Sequence, residues 1–585
     1  MGTGADVGDG VRLRSAAPML GLGLLVAGVV PMTVVGPNLP LVASRSAARQ
    51  SPPTYVWPKI AHDSANTGLS ADPGISNANA GTLGVRWMAS TGASSVSSPV
   101  VAWNATLQKT LVYQGNDSGY LTAFDASDGA TVWSVNLGST ILSSPLVEGN
   151  FVWIARAYGA VMYKLDAATG AVTCSTTLGS ESDGSPTIGT PAGGSSTIYI
   201  AMHDLGTASG PLYGINEANC AVDFQFTGFN SVAGSWDPLS YATDVDGRAL
   251  VLMGTSDPDQ SVYAIDALTG TKVWSFVTPP LAGNTDTDVG AGIDVSPPGV
   301  NGFADGVAYV PAEDGYFFAL DLTTGAVLWK YDFGTGLPQI HLSRSTPALA
   351  GNRLVFGEIG GVMCLDATTG ALDWSFATGD VESISDPAIV GPASGQVVAV
   401  TTLAGAVDVL DLASGNLLYS FQTPTYSTSS IADVDGNLLA SSADGYLYDF
   451  ALGGGNGAGP STAVTSPTAG STIANPTGSE LIRGTATAAS GEDVEQVDVA
   501  IQSGGPSGQW WDGVTGTWTA GFFDNAATVV SPGTPSTDWS YSVPVPLAGG
   551  HFSVFASSAQ GNGLADVTDL SATPGSSLVS FSIRN

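Results

Sequence analysis

The sequence predicts an all-β chain, an eight-bladed β-propeller followed by a β-sandwich, and three observations carry that prediction. A short frame, Asp-x-x-x-Gly-x-x-x-aromatic, recurs along most of the chain. Its copies lie about 40 to 55 residues apart, the period of four-stranded propeller blades. The composition is rich in turn formers, with 76 glycines and only 11% charged residues, which favours strands and turns over helices.

The clearest copy runs from Ala319 to Trp329. Phe317 to Leu320 reads as an apolar strand. Asp321 to Gly325 reads as a turn, because Asp bonds its own backbone two residues on and Gly tolerates positive φ. Val327 to Tyr331 is the next strand, with Trp329 on one face. The frame returns at Asp125/Gly129/Trp133, Asp266/Gly270/Trp274, Asp366/Gly370/Trp374 and Asp411/Gly415/Tyr419. Two copies depart from it: Asp166/Gly170 ends in Cys174, and Asn216 is followed by Cys220 and Phe224. A last copy, from Gly445 to Phe450, runs into glycine before any Trp.

Each repeat opens on Ser-Pro, Asp-Pro or a serine pair, as at Ser98-Pro99, Ser144-Pro145, Asp237-Pro238 and Asp386-Pro387. An apolar strand follows, such as 111–114 or 354–357. Gly84 to Trp87 matches a Trp-bearing outer strand and precedes the first full repeat. Pairing it into the last blade closes the ring and leaves no open sheet edge. The count becomes seven blades if one irregular repeat is absorbed.

Residues 1–48 read as a signal peptide or a signal anchor. Arg12 and Arg14 precede an apolar run from Ala16 to Val35, and small residues surround Ser44 and Ala48. Only retention of this segment as an anchor would place the protein on a membrane. The propeller then takes 49–452, a glycine-rich linker 453–462, and the sandwich 463–585. In the last region Val497/Val499/Ile501, Trp539/Tyr541/Val543, Phe552/Val554/Ala556 and Val579/Phe581/Ile583 alternate as half-buried strands do. A net charge of −34 with no basic stripe argues against nucleic-acid binding.

The Ala-x-Asp-x-x-Thr-Gly-x-x-x-Trp phrase resembles the tryptophan-docking motif of pyrroloquinoline-quinone (PQQ)-type propellers. The resemblance covers about Tyr55 to Leu452, and Trp57 to Gly68 is similar to the lead-in of such proteins. That superfamily holds quinoprotein alcohol dehydrogenases and non-enzymatic members. Phrases of the C-terminal region, such as Leu481 to Ala486 and Trp511 to Trp518, resemble bacterial immunoglobulin-like modules. The docking motif implies that each Trp stacks on the motif Gly of the next blade. The pairs are then Trp87 on Gly129, Trp133 on Gly170, Trp274 on Gly325, Trp329 on Gly370 and Trp374 on Gly415, with Tyr419 in the corresponding place of its own repeat. The same packing implies a Cys174–Cys220 disulfide in place of one dock, the other outcome being two unpaired thiols. Cys364 reads as a small buried filler.

The segments leading into the inner strands gather Trp236, Asp237, Asp294, His341, Arg344, Glu382 and Asp386 at one mouth of the channel. Asp286, Asp288 and Asp294 form the densest acidic loop and are candidate ligands for a hard cation, although turn roles account for the same residues. The resemblance implies PQQ and Ca²⁺ at such a mouth in enzymatic relatives. The adjacent cysteine pair found in many of them is absent here, as is any Cys-x-x-Cys-His haem motif. His62, His203, His341 and His551 show no metal-binding spacing.

The expectation is an exported, non-catalytic binding or scaffold protein, at the cell surface or in the medium, with no cofactor. Its partner would be a protein, peptide or glycan on a propeller face. The alternative is a PQQ- and Ca²⁺-dependent dehydrogenase with a divergent channel site. A glycan-active enzyme is a third reading.

Overall fold

The computed structural model describes residues 51–585, apart from 180, 204–208, 280–286, 334–342, 379–384, 454–460, 469, 475–479, 489–492, 504–508, 514–515, 520–524, 544–549, 561–577 and 585. The expected leader, 1–48, lies outside the described residues.

Between 69 and 452 the described residues form eight sheets, each built on four antiparallel strands, the arrangement of a β-propeller; in one of them Leu69–Ser70 adds a short parallel fifth strand beside Ala388–Val390. The fifth sheet is representative: Asp294–Ser296 is innermost, followed by Val307–Pro311, Tyr316–Asp321 and the outer strand Val327–Asp332. The last sheet is completed from the other end of the ring. Leu83–Ser90 pairs antiparallel with Tyr446–Leu452, as the sequence predicts. Neighbouring inner strands touch around the ring, including Val100–Asn104 of the first sheet against Ala432–Val434 of the last.

The repeated frame builds one hairpin many times over. In the sixth sheet, Asp366 Oδ1 accepts from the Thr368 and Thr369 amides at 3.1 and 2.8 Å and from the Thr369 hydroxyl at 2.8 Å. The Gly370 amide closes the turn onto the Asp366 carbonyl at 2.8 Å, and Gly370 sits at φ +72°. That conformation favours glycine. The outer strand then carries a bulge just before the Trp, a device that re-aims a side chain. Trp374 leaves its own sheet and lands on the next.

All five expected docks form. A Cβ placed on Gly129, Gly170, Gly325, Gly370 or Gly415 would lie 2.5–2.7 Å from the Trp of the preceding sheet. Each indole also donates to a carbonyl of the next sheet: Trp87 and Trp133 to Ala126 and Ala167 at 3.1 Å, Trp274 and Trp329 to Leu322 and Ala367 at 3.0 Å, and Trp374 to Leu412 at 2.9 Å. A sixth dock, missed in the sequence, puts Phe224 on Gly270. Tyr419 instead packs edge-on against Phe450 of the last sheet.

The expected disulfide joins Cys174 and Cys220, with Cα atoms 6.1 Å apart. Cys220 occupies the motif glycine position at φ +60°, so the bridge holds a side-chain-bearing residue in the left-handed region. Cys364 is free and fully buried.

Beyond residue 460 two further sheets face each other over one apolar core. Val464, Ile482, Trp539 and Val543 come from one, and Val497, Val499, Ile501, Trp511, Val554 and Ile583 from the other. Trp539 and Val543 are buried with Ser542 exposed between them and Tyr541 packed against the core, as expected, whereas Val499 to Gln502 and Val554 to Ala556 are buried on both faces; the side chains of Val579 and Phe581 lie outside the described residues.

Candidate functional site

The Ser-Pro and Asp-Pro starts have a structural purpose. Six residues at these positions, Ser98, Ser144, Ser185, Thr346, Asp386 and Ser430, each cap the amide of the counterpart in the sheet before. Gly292 donates to Thr346 Oγ1 at 3.1 Å, Thr346 to Asp386 Oδ1 at 2.7 Å, and Asp386 to Ser430 Oγ at 3.1 Å. Ser430 donates to Ser98 Oγ at 2.9 Å, Ser98 to Ser144 Oγ at 2.9 Å, and Ser144 to Ser185 Oγ at 2.8 Å. This belt of backbone-to-side-chain bonds runs around the channel and stops between Ser185 and Gly292. Asp237 stands in the interval.

Below the belt lies the lead-in segment. Trp57 and Val101 exchange backbone hydrogen bonds, and Val147 donates to Pro58. Tyr241, Val295, Leu349 and Ile389 donate to Ser64, Ala65, Thr67 and Gly68. Ser70 Oγ donates to Asp433 Oδ2 at 2.6 Å. The segment thus binds the inner strands of seven of the eight sheets in turn. Lys59, 2% exposed, donates to the Ile60 and Asp63 carbonyls at 2.7 and 3.0 Å and to Asn66 Oδ1 at 2.5 Å. Burial holds its amine down to about 8, against the pull of Asp63 and Asp386. Buried polar groups are affordable only when bonded in this way.

At the mouth, side chains from several sheets converge. Asp237 is 3% exposed, and its carboxyl is pushed well above the usual carboxylate range. Burial is the largest cause; the charges of Glu313, Asp288 and Asp386 add to it and Arg344 opposes it. Asp237 leads into the fourth sheet and Asp386 into the seventh, so charge from another part of the ring acts on this carboxyl. Its Oδ2 has no hydrogen-bond partner among the described residues. Arg344 Nε donates to the fully buried carboxylate of Glu313 at 2.8 Å. Gly290 lies so close to Glu313 Oε1 and the Trp236 indole that any side chain there would collide with both. His203 stacks on Trp236 with ring centroids 5.1 Å apart. Near His203, burial pushes the Asp183 carboxyl up to about 6, with His203 opposing and Glu181 adding.

Of the predicted site residues, the structure brings Trp236, Asp237, Arg344 and Asp386 together, with Asp288 beside them. Asp294 belongs with the lead-in segment: it is fully buried, and burial and the Asp63 charge raise its carboxyl well above the usual range. His341, Glu382 and Asp286 lie outside the described residues. Among the described residues, no three His, Cys, Asp or Glu side chains are placed to hold one metal ion. Sequence reading missed Glu313, Asp183, His203 and Lys59. Glu313 and His203 follow second strands of their sheets, and the reading considered only the segments before the first strands.

Solved structures that resemble this fold include the quinohemoprotein alcohol dehydrogenase of Comamonas testosteroni, with a TM-score of 0.56 and 15% identity over 70% of this chain and 82% of that one. A europium-containing methanol dehydrogenase gives 0.55 and 14% over 68% and 98%. At such identities these likenesses establish the fold alone. The outer membrane protein assembly factor BamB of Yersinia pestis is 26% identical over 251 residues, 39% of this chain and 56% of that protein. The BamB of Salmonella typhimurium is 26% identical over 235 residues, 38% and 55%. The chain spans little more than half the length of these relatives. The family model described as outer membrane protein assembly factor BamB matches residues 74–227 and 258–466, more than half of the 585 residues, and the chain belongs to that family of PQQ-like β-propellers.

Proposed function

We propose that the protein is an exported, non-catalytic scaffold: an eight-bladed propeller that binds a protein partner in the cell envelope, at the cell surface or in the medium. The C-terminal pair of sheets serves as an immunoglobulin-like module on a glycine-rich tether. The observation that carries this reading is the family match, which follows the ring from residue 74 to 466 with one interruption. The relatives it names are assembly factors, which supports a protein partner and an envelope location. A rigid ring with large loop faces suits that task.

The second reading is a PQQ- and Ca²⁺-dependent dehydrogenase. Trp236, Asp237 and Arg344 at one mouth favour it, because a ring plane, a carboxyl and a guanidinium are what a quinone cofactor would meet. Arg344 is already engaged by Glu313, which weighs against it. Titration of the purified protein with PQQ and Ca²⁺, read by calorimetry and by dye reduction over a panel of alcohols and sugars, separates the two. The scaffold reading expects neither heat nor turnover at about 100 µM cofactor, equivalent to binding weaker than roughly −5.5 kcal/mol. Saturable binding with turnover overturns it.

A further inference from the structure

We propose that the Cys174–Cys220 disulfide is a redox latch. A dithiol protein opens it while the ring stays folded, and the seam between the second sheet, 146–177, and the third, 187–226, loosens while the other seams hold. The proposal goes beyond the scaffold reading and does not depend on it.

This seam lacks ties that the ring has elsewhere. The lead-in segment binds the inner strands of the other seven sheets and, among the described residues, passes the third, Thr187–Gly189, without a hydrogen bond. At five seams an indole donates to a carbonyl of the next sheet. Here Cys174 stands in place of that indole. At three seams a buried tyrosine, Tyr113, Tyr199 or Tyr309, donates to the next sheet at 3.0–3.1 Å. Trp153 holds the corresponding register position in the second sheet, opposite Lys164. Its indole is fully buried, and its N–H has no acceptor among the described residues.

Two bonds near the mouth remain, Ser144 to Ser185 and Ser182 to Ala157, together with a shared apolar core. The other ties converge on one turn, 216–220. Lys164 Nζ donates to the Glu217 carbonyl and carboxylate, both at 2.6 Å, and Thr176 Oγ1 donates to the Cys220 carbonyl. The disulfide joins the end of that turn to the outer strand Val172–Thr177. Cys220 sits at φ +60°, a conformation that a side-chain-bearing residue keeps under restraint. With the bridge broken, the turn relaxes and takes the Glu217 acceptors away from Lys164.

The bridge lies where a protein can reach it. Cys174 is half-buried between the exposed Thr173 and Ser175, and Cys220 is flanked by the exposed Asn219 and Ala221. A thiolate of the dithiol attacks Cys174 Sγ, forming a mixed disulfide and releasing Cys220 as a thiolate, which takes up a proton. The second thiol of the dithiol then displaces Cys174, so two electrons and two protons pass to this chain and the dithiol leaves as a disulfide.

The test is hydrogen exchange with mass spectrometry on the full chain, oxidised and after native treatment with reduced thioredoxin, with thiol counting alongside. Treatment should free the thiols of Cys174 and Cys220. Exchange should then rise roughly tenfold or more in the facing strands Val161–Asp166 and Leu212–Asn216. It should stay within about twofold in the fifth and sixth sheets, and the rise should reverse on reoxidation. Cys174→Ser with Cys220→Ser should show the reduced pattern with or without thioredoxin; the wild-type comparison decides even where that variant does not fold. A bridge that thioredoxin reduces only after the chain is denatured overturns the proposal. So does full reduction with unchanged exchange at this seam, or with a rise spread evenly over all sheets, the behaviour of a bridge that only adds stability. A folded serine pair that exchanges like the oxidised protein overturns it as well.

Discussion

The amide of Ser430 donates to Ser98 Oγ at 2.9 Å, across 332 positions of sequence. Ser98 is 3% exposed, and in the same belt its own amide donates to Ser144 Oγ. One hydroxyl therefore ties the last sheet to the first at the channel wall. Ser98→Ala leaves the Ser430 amide buried without an acceptor and should cost about 1–3 kcal/mol. A fall in the denaturant midpoint on that scale is the expected outcome. An unchanged midpoint would mean that the belt does not hold the ring.

The Trp–Gly docks make a sharper comparison. Gly370 and Gly149 both have positive φ, +72° and +58°. A Cβ on Gly149 meets nothing within 4 Å, whereas one on Gly370 would lie 2.5 Å from Trp329. Gly149→Ala should cost about 1–2 kcal/mol from backbone conformation alone. Gly370→Ala should cost that and about 1–3 kcal/mol more from overpacking. Equilibrium denaturation of the two variants checks the difference.

The disulfide stands where a dock would otherwise be. Peptide mapping without reduction should recover Cys174 and Cys220 in one linked fragment. Cys174→Ser with Cys220→Ser should lower stability by about 2–4 kcal/mol. Cys174→Trp with Cys220→Gly should recover part of that loss, because it restores both the stacking ring and the residue suited to φ +60°. Melting curves of the three proteins under reducing and oxidising conditions would show it, and failure of the Trp/Gly pair to exceed the serine pair would refute the equivalence.

Acidity should stabilise this protein over a defined window. Burial pushes Asp386 and Asp449 up to about 6 and Asp314 up to about 7. A carboxyl with a raised folded value contributes stability that is complete below its unfolded value, near about 4, and is lost as pH rises through the folded value. The melting temperature should therefore fall between about pH 4 and pH 7. Lys59, held down by burial to about 8, acts the other way, recovering stability only as pH rises from there toward 10.5. Calorimetry across pH checks the fall, and Asp386→Asn should flatten it.

The ring was legible because its causes are local and repeated. Asp321, Gly325 and Trp329 set a turn, a left-handed residue and an inter-sheet contact within one short phrase, and seeing the phrase recur was enough to pair Trp87 with Gly129 across the closure. The channel site was legible only in part. Trp236, Asp237 and Arg344 were found because they precede inner strands, a position that the repeats mark. Glu313 and Lys59 carry no such mark. Their roles come from burial beside residues far away in sequence, and neither turn chemistry nor alternation reports that. Phe224 escaped as a dock because its repeat lacks the Asp, the Gly and the Trp together.

The lead-in segment and the strand Leu83–Ser90 set the order in which this molecule can be assembled. The Thr54 amide finds its acceptor in Asp435, 381 positions later, and Leu83–Ser90 pairs with Tyr446–Leu452. At ordinary synthesis rates that interval is on the order of tens of seconds. Through it the Trp87 strand has no partner, and an unpaired apolar strand edge is what chaperones hold and aggregates grow from. Closure of the ring therefore waits for the final sheet, and a chain truncated before residue 446 should leave Leu83–Ser90 without the strand it pairs with.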